Sequence, residues 1–190
     1  MSDGWCCTRQ LTGHEPDRSS ASDWLAILAA GRAFHLATAG LSRPALLDRR
    51  TDRWAVADRM AWAERPLEVL PELAGLARRL KAGLAPLGAA QLIHGDLTGN
   101  VLLDDRQVPA IIDVAPYWRP VGYADGIVVA DAITWYGAST ALLTRLGVPR
   151  AAVARGLLFR LLTTDQRARG SALPGAEVER YANAVALLGL

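Results

Sequence analysis

Three oxygen-bearing side chains stand near one another in the middle of the sequence, each beside a short apolar run. Asp96 follows the run that ends at Ile93, Asn100 comes four residues later, and Asp113 closes the run formed by residues 110–112. Carboxylate and amide oxygens suit Mg²⁺, and a carboxylate can accept the proton of an attacking hydroxyl. These groups are the parts of a phosphoryl-transfer site, where a protein mainly positions reactants and neutralises charge.

The hydrophobic pattern around these residues predicts the strands that position them. Runs rich in strand formers predict strands over residues 91–93, 101–103 and 108–114, with a turn at 104–107. The last two strands form a small β-hairpin, and the site lies at its ends. The two prolines within residues 115–122 predict a loop there.

Helices are predicted on both sides of these strands from the helical spacing of apolar residues. They are expected from Ser22 to about Gly40, within residues 48–64, from Pro71 past Leu80, and over residues 123–136, 140–146, 149–167 and 176–188. His35 falls on an apolar helix face and is predicted to be a core residue. A strand at residues 4–11 and a loop at 14–22 precede the first helix. The order favours an α+β fold that is mostly helical.

Length and charge narrow the classes of function. The 190 residues suit one domain, and the net charge of +2 comes from scattered basic residues, which argues against a nucleic-acid partner. No apolar run could cross a bilayer and the first residues lack the pattern of a signal peptide, so we expect a cytoplasmic protein with no membrane partner. The neighbouring Cys6 and Cys7 are predicted to be reduced thiols in a strand.

The segment His94-Gly95-Asp96-Leu97-Thr98-Gly99-Asn100, followed by Ile112-Asp113, resembles the aminoglycoside phosphotransferase family, also called choline-kinase-like or protein-kinase-like small-molecule kinases. The resemblance implies that Asp96 is the catalytic base. It implies that Asn100 and Asp113 bind Mg²⁺ and thereby the cofactor ATP, and that His94 braces the loop without reacting.

Further segments share this likeness. Residues 30–35 resemble a family helix with a leucine–histidine pair, and residues 130–132 resemble a later buried Asp-x-Ala whose acid supports the catalytic loop. Because a buried carboxylate needs partners, we expect Asp131 to accept hydrogen bonds from the backbone of that loop. Residues 116–120 resemble an actinobacterial group of the family. The side chains there either line an acceptor pocket or serve packing and a surface ion pair; they are Tyr117, Trp118 and Arg119.

The sequence departs from the family pattern at its start. Family members have an N-terminal lobe of strands with a phosphate-covering loop and a lysine that grips the nucleotide. Here no glycine-rich phosphate loop occurs, and the single lysine, Lys81, follows a helical pattern. We therefore expect residues 1–13 to be a hinge-like remnant of that lobe. Residues 14–190 are then the C-terminal lobe of the protein-kinase-like fold.

Two functions follow as alternatives. One is an ATP- and Mg²⁺-dependent phosphotransferase acting on a small-molecule hydroxyl, with weak or no activity from this lobe alone. The other is a non-catalytic, pseudokinase-like binding module whose exposed lobe interface is covered by a partner chain or by self-association. A metal-dependent hydrolase is a weaker hypothesis, because no paired-histidine motif is present. The acceptor is open between a sugar, an amino alcohol and a nucleoside, and no acid-rich cluster of the kind an aminoglycoside would need occurs.

Overall fold

The structure is a computed structural model that describes residues 10–190. Within them the elements are, in chain order, α1 (Ala21–Thr38), α2 (Leu46–Arg49), α3 (Arg53–Ala61), α4 (Pro71–Ala82), β1 (Gln91–His94), β2 (Val101–Asp104), β3 (Gln107–Ile111), β4 (Pro116–Arg119), α5 (Val121–Trp135), α6 (Thr140–Leu146), α7 (Arg150–Ala168) and α8 (Gly175–Leu187). The mostly helical α+β class is confirmed. No helix of this part of the chain is long and apolar enough to span a membrane. Cys6, Cys7 and the predicted strand up to residue 9 lie outside the described residues.

The four strands form two small antiparallel sheets. Strands β2 and β3 make the predicted hairpin, and β1 pairs with β4 in a register that sets Ile93 opposite Tyr117. The prediction of a loop over residues 115–122 is therefore wrong for β4. Pro116 is tolerated because it is the first residue of a strand, and the aromatic residues after it favour extended backbone. Strand β3 ends at Ile111, so Asp113 lies in the loop between β3 and β4 and not in a strand.

Helix α1 packs directly on the loop that follows β1. Ser20 caps the helix by accepting a hydrogen bond from the backbone N–H of Asp23. Gly31 allows the close approach, because a Cβ added there would lie 2.4 Å from Leu97 Cδ1. His35 is buried in the core, as predicted, and its Nε2 accepts the backbone N–H of His94 at 3.1 Å. The helix thus fixes the end of β1, where the predicted site begins.

Helices α5 and α7 cross at the centre of the core. Residues 123–134 of α5 are all buried, which confirms the helix predicted from its uniformly apolar sequence. At the crossing the two backbones touch, since a Cβ on Gly126 would lie 2.1 Å from Ala152 O and one on Gly156 would lie 2.4 Å from Gly126 O. The crossing determines which side chains of the two helices can meet.

Candidate active site

The site forms where the loop after β1 meets the loop between β3 and β4. Two backbone hydrogen bonds join them, from Gly95 N–H to Ala115 O at 2.9 Å and from Ile112 N–H to Asn100 O at 3.0 Å. A third contact runs from His94 Nε2 to Ile112 O at 3.4 Å. The loop that carries the second acid is therefore held against the loop that carries the first.

The first loop is organised by hydrogen bonds to its own backbone. Asp96 N–H donates to His94 Nδ1 at 3.0 Å, and Asn100 Nδ2 donates to Asp96 O at 2.7 Å. Burial lowers the pKa of His94, so its neutral ring accepts at Nδ1 and donates at Nε2. The amide nitrogen of Asn100 is used inside the loop, and among residues 10–190 its amide oxygen receives no hydrogen bond. That oxygen is the atom of Asn100 able to bind a cation.

The two acids share one cavity. A cavity of about 210 Å³ is lined by residues from both loops, from β4, from α3 and the segment before it, and from α7; they are Arg50, Trp54, Gly95, Asp96, Asp113, Ala115, Tyr117 and Arg160. Asp113 is exposed and has a φ of 45°, a left-handed conformation that aspartate tolerates better than most residues. Asn100 does not line this cavity and reaches the site through the backbone of Asp96.

Arg160 on α7 is a site residue that the sequence reasoning missed. Its NH2 donates to Asp96 Oδ1 at 2.7 Å, and its Nε and NH2 donate to the two oxygens of Asp131 at 2.7 Å each. Burial opposes the charge of Arg160, but the carboxylates of Asp131 and Asp96 outweigh it and raise the arginine's pKa above its ordinary value. The available signal was an arginine between Phe159 and Leu161 in an otherwise apolar helical run.

Asp131 therefore supports the site by a different route from the expected one. From the sequence, its carboxylate is expected to accept hydrogen bonds from the loop backbone. In the structure it binds the guanidinium of Arg160, which in turn holds Asp96. The side chain of Asp131 is 3% exposed, whereas that of Asp96 is 47% exposed. The buried acid thus anchors the arginine, and the arginine reaches the solvent-facing acid.

Of the three candidate acceptor residues, the structure brings Tyr117 to the cavity of the two acids. Its ring packs over Gly95 and lies 5.0 Å from the Arg50 guanidinium, and burial raises its pKa to about 12. Trp118 and Arg119 line a neighbouring small pocket, which shares Arg50 and Tyr117 with this cavity. Arg119 there forms a buried ion pair with Asp58, at 2.6 Å. Besides Tyr117 and Arg160, the side chains of Arg50 and Trp54 also line the cavity of the two acids.

The donor set fits one class of metal. Among residues 10–190, no three His, Cys, Asp or Glu side chains lie close enough together to hold an ion. The candidate ligands are the carboxylate of Asp113 and the amide oxygen of Asn100, with the carboxylate of Asp96 lining the same cavity as Asp113. Mg²⁺ commonly binds one or two carboxylates and completes its shell with water and substrate phosphates. These residues therefore fit Mg²⁺ that binds together with a nucleotide, and not a metal that the protein holds alone.

One known protein family matches the part of the chain that contains the candidate site. A profile described as the phosphotransferase enzyme family (APH) matches residues 4–115. The match includes Asp96, Asn100 and Asp113, and it ends before Asp131 and Arg160. Searches of curated proteins and of solved structures returned no match. Because the matched segment is more than half of the chain, this protein belongs to the phosphotransferase enzyme family.

Proposed function

We propose that this protein is an ATP- and Mg²⁺-dependent phosphotransferase that acts on the hydroxyl of a small molecule. The observation that carries the proposal is that Asp96 and Asp113 line one cavity while backbone hydrogen bonds join their loops. Family membership supports the reaction class. In this proposal residues 14–190 are the C-terminal lobe of a protein-kinase-like fold.

Each residue of the site has one role in this proposal. Asp96 accepts the proton of the acceptor hydroxyl at Oδ2, since Oδ1 is held by Arg160. Asn100 and Asp113 hold Mg²⁺, which neutralises phosphate charge when it is bound. Arg160 fixes the orientation of Asp96, and His94 holds the loop backbone. The chain thus supplies mainly position and charge, which is what phosphoryl transfer requires.

The walls of the cavity favour a neutral, ring-bearing acceptor. Trp54 and Tyr117 offer aromatic surfaces, and Arg50 and Arg160 contribute positive charge. The acids that line the cavity, Asp96 and Asp113, are both assigned to catalysis or metal binding. A polycationic aminoglycoside would therefore meet arginines without free carboxylates to bind it, whereas a sugar or a nucleoside could stack on the rings.

Nucleotide binding tests the metal ligands. Mg·ATP at about 100 times its Kd should raise the free energy of unfolding by about 2.7 kcal/mol, because it binds only the folded chain. Asp113→Asn should abolish the increase, measured by thermal unfolding. Asp105→Asn is the matched control, because Asp105 lies in the exposed turn of the β2–β3 hairpin and makes no side-chain hydrogen bond within residues 10–190. Equal shifts in both variants would contradict the assignment.

Phosphate transfer tests the base. With labelled ATP and a panel of sugars and nucleosides, Asp96→Asn should lower the transfer rate by about 10²–10⁴-fold, the usual contribution of a general base. The variant should keep the thermal shift with Mg·ATP. A wild-type chain that binds Mg·ATP but transfers phosphate to no acceptor would contradict the phosphotransferase proposal.

A non-catalytic binding module is the second candidate, and two observations favour it. Arg160 already engages one oxygen of Asp96. The chain's one lysine, Lys81, lines a cavity that shares no residue with the cavity of Asp96. In this candidate a partner chain or a second copy covers an exposed interface, which light scattering of the purified chain would detect as a larger species.

A further inference from the structure

A second and larger cavity lies away from the two acids. Its volume is about 580 Å³, within the usual range for small-molecule sites. It opens between the end of α3, the segment 62–67, the C-terminal end of α4, and Arg155 and Leu158 of α7. We name it the Trp62 cavity, after the residue at the end of α3 that lines it. None of its residues lines the cavity of Asp96 and Asp113.

The Trp62 cavity carries an excess of positive charge. Three cationic side chains line it, Arg65, Lys81 and Arg155, and within residues 10–190 none of them forms an ion pair. One acid, Glu64, also lines it. Both oxygens of Glu64 accept hydrogen bonds from Arg119, at 2.5 and 2.9 Å, and Arg119 also pairs with Asp58, so the lining carries three positive charges against the single negative charge of Glu64. Arg65 and Lys81 are exposed, so their charges are available to an anion from solution.

Buried donors without acceptors occur in the same wall. Within the described residues, Trp62 Nε1 and Arg155 Nε are buried and have no hydrogen-bond partner. Arg155 donates to Ala61 O at 2.7 Å, and its guanidinium lies 4.1 Å from the centre of the Trp62 ring. Burial lowers the pKa of Arg155, so its charge lacks full compensation in this wall. Unpartnered buried donors are rare in proteins and call for a reason.

Apolar side chains form the rest of the wall. They are Met60, Leu67, Leu84 and Leu158, together with the ring of Trp62. A cavity that combines apolar walls with a few cationic groups recognises a molecule with an apolar body and one anionic group. Inorganic phosphate alone would leave most of this surface without contacts.

We propose that the Trp62 cavity binds a small organic anion, with its carboxylate or phosphate beside Arg65 and Lys81 and its apolar body against Trp62 and Leu84. This site is separate from the proposed phosphotransferase site and does not depend on it. The shared chemistry of a carboxylate and a phosphate is the negative charge, and the probes below separate the two groups.

The single lysine provides a direct test. Acetylation of the full chain by an amine-reactive reagent can occur at Lys81 and at the amino terminus, and mass spectrometry distinguishes the two. Phenyl phosphate or phenylacetate at about five times its Kd should slow acetylation of Lys81 about sixfold by mass action. The amino terminus should react at an unchanged rate, and neutral benzyl alcohol should protect neither amine. Protection by only one of the two anions supports the site and names the preferred group.

A pair of charge variants tests specificity by calorimetric titration with phenyl phosphate. Arg65→Met should weaken binding about fivefold, as expected for one exposed charge near an anion. Arg78→Met removes an exposed arginine from α4 that does not line this cavity, and it should leave the Kd unchanged. The proposal is overturned if neither anion protects Lys81, if benzyl alcohol protects it equally, if both variants weaken binding alike, or if inorganic phosphate binds as tightly as phenyl phosphate.

Discussion

At the scale of single residues, Arg160 links two acids, the buried Asp131 and the solvent-facing Asp96. Its side chain is 11% exposed, and its guanidinium binds both oxygens of Asp131, reaches Asp96 and lies against the rings of Phe159 and Trp135. A buried ion pair adds little net stability by itself, but removal of one member leaves an uncompensated buried charge. Arg160 is therefore expected to matter for both stability and the orientation of Asp96.

Replacing Arg160 should be costly for folding. Arg160→Met should lower the free energy of unfolding by about 3 kcal/mol, because Asp131 would remain buried without its partner. Arg167→Met is the control on the same helix. Arg167 pairs with Glu177, and its side chain is 52% exposed, so the expected loss in the free energy of unfolding is below about 1 kcal/mol. Urea unfolding measures both, and similar losses in the two variants would contradict this account.

Buried histidine makes stability depend on pH. Burial, and then the charge of nearby His94, lower the pKa of His35 to about 4. In the unfolded chain its pKa is about 6.5, so between these values the unfolded state binds more protons than the folded state. The free energy of unfolding should therefore fall as pH drops from about 6.5 to about 4, by up to about 3 kcal/mol, and this contribution is fully present above that window.

Denaturant unfolding across this pH range tests whether the free energy of unfolding falls as the pH drops. His35→Gln should flatten the dependence, whereas His14→Gln should leave it unchanged, because His14 is exposed. Burial also lowers the pKa of His94, so a residual slope of the same sign is expected in His35→Gln. Stability that rises on acidification through this window would contradict a neutral, buried His35.

At the scale of elements, the crossing of α5 and α7 is what brings Asp131 to Arg160. Gly156 lies one helical turn before Arg160, and Gly126 lies on α5 before Asp131. The direct backbone contact of the two glycines sets the separation at which a guanidinium can bind a carboxylate on the facing helix. A side chain at the crossing would move the helices apart and lengthen these hydrogen bonds.

Two glycine substitutions should have opposite effects. Gly156→Ala places a Cβ against the backbone of α5 and should destabilise the protein by about 1–3 kcal/mol, the usual cost of overpacking. Gly75→Ala lies on the exposed face of α4, where no atom is within 4 Å of the added Cβ. It should stabilise the protein by up to about 1 kcal/mol through helix propensity. Thermal unfolding measures the stability of both variants. A Gly156→Ala variant as stable as the wild-type chain would contradict the close crossing of α5 and α7.

At the scale of the whole molecule, one charge cluster joins elements that line the two cavities. Arg119 joins Asp58 and Glu64, and Glu64 also lines the Trp62 cavity. Asp58 lies on α3, Arg119 on β4 and Arg155, in the wall of that cavity, on α7. The cluster therefore ties the α3 segment to the sheet of β1 and β4, and the loop of Asp96 follows β1. Substitutions in it are expected to affect both cavities.

Local patterns determined much of this protein. The helical periods, the β2–β3 hairpin and the spacing of Asp96, Asn100 and Asp113 are encoded within a few residues of one another, because helix and turn hydrogen bonds are short in sequence. The family followed from the same local motif. The prediction failed at β4, whose backbone pairs with β1 across more than twenty positions and whose prolines indicate a loop when they are considered alone.

Only the tertiary structure decided which charges meet. Arg160 lies 64 positions from Asp96 and 29 from Asp131, and nothing in its local sequence names either partner. The partners follow from the angle and distance at which α5 and α7 cross, which depend on packing of the whole core. The same holds for Lys81, which the sequence predicts on a helix and which the fold places in the lining of the Trp62 cavity. The local sequence specifies the helices and strands. The packing of the core specifies which side chains of different elements meet, because those contacts depend on the distances and angles between elements that are far apart in the sequence.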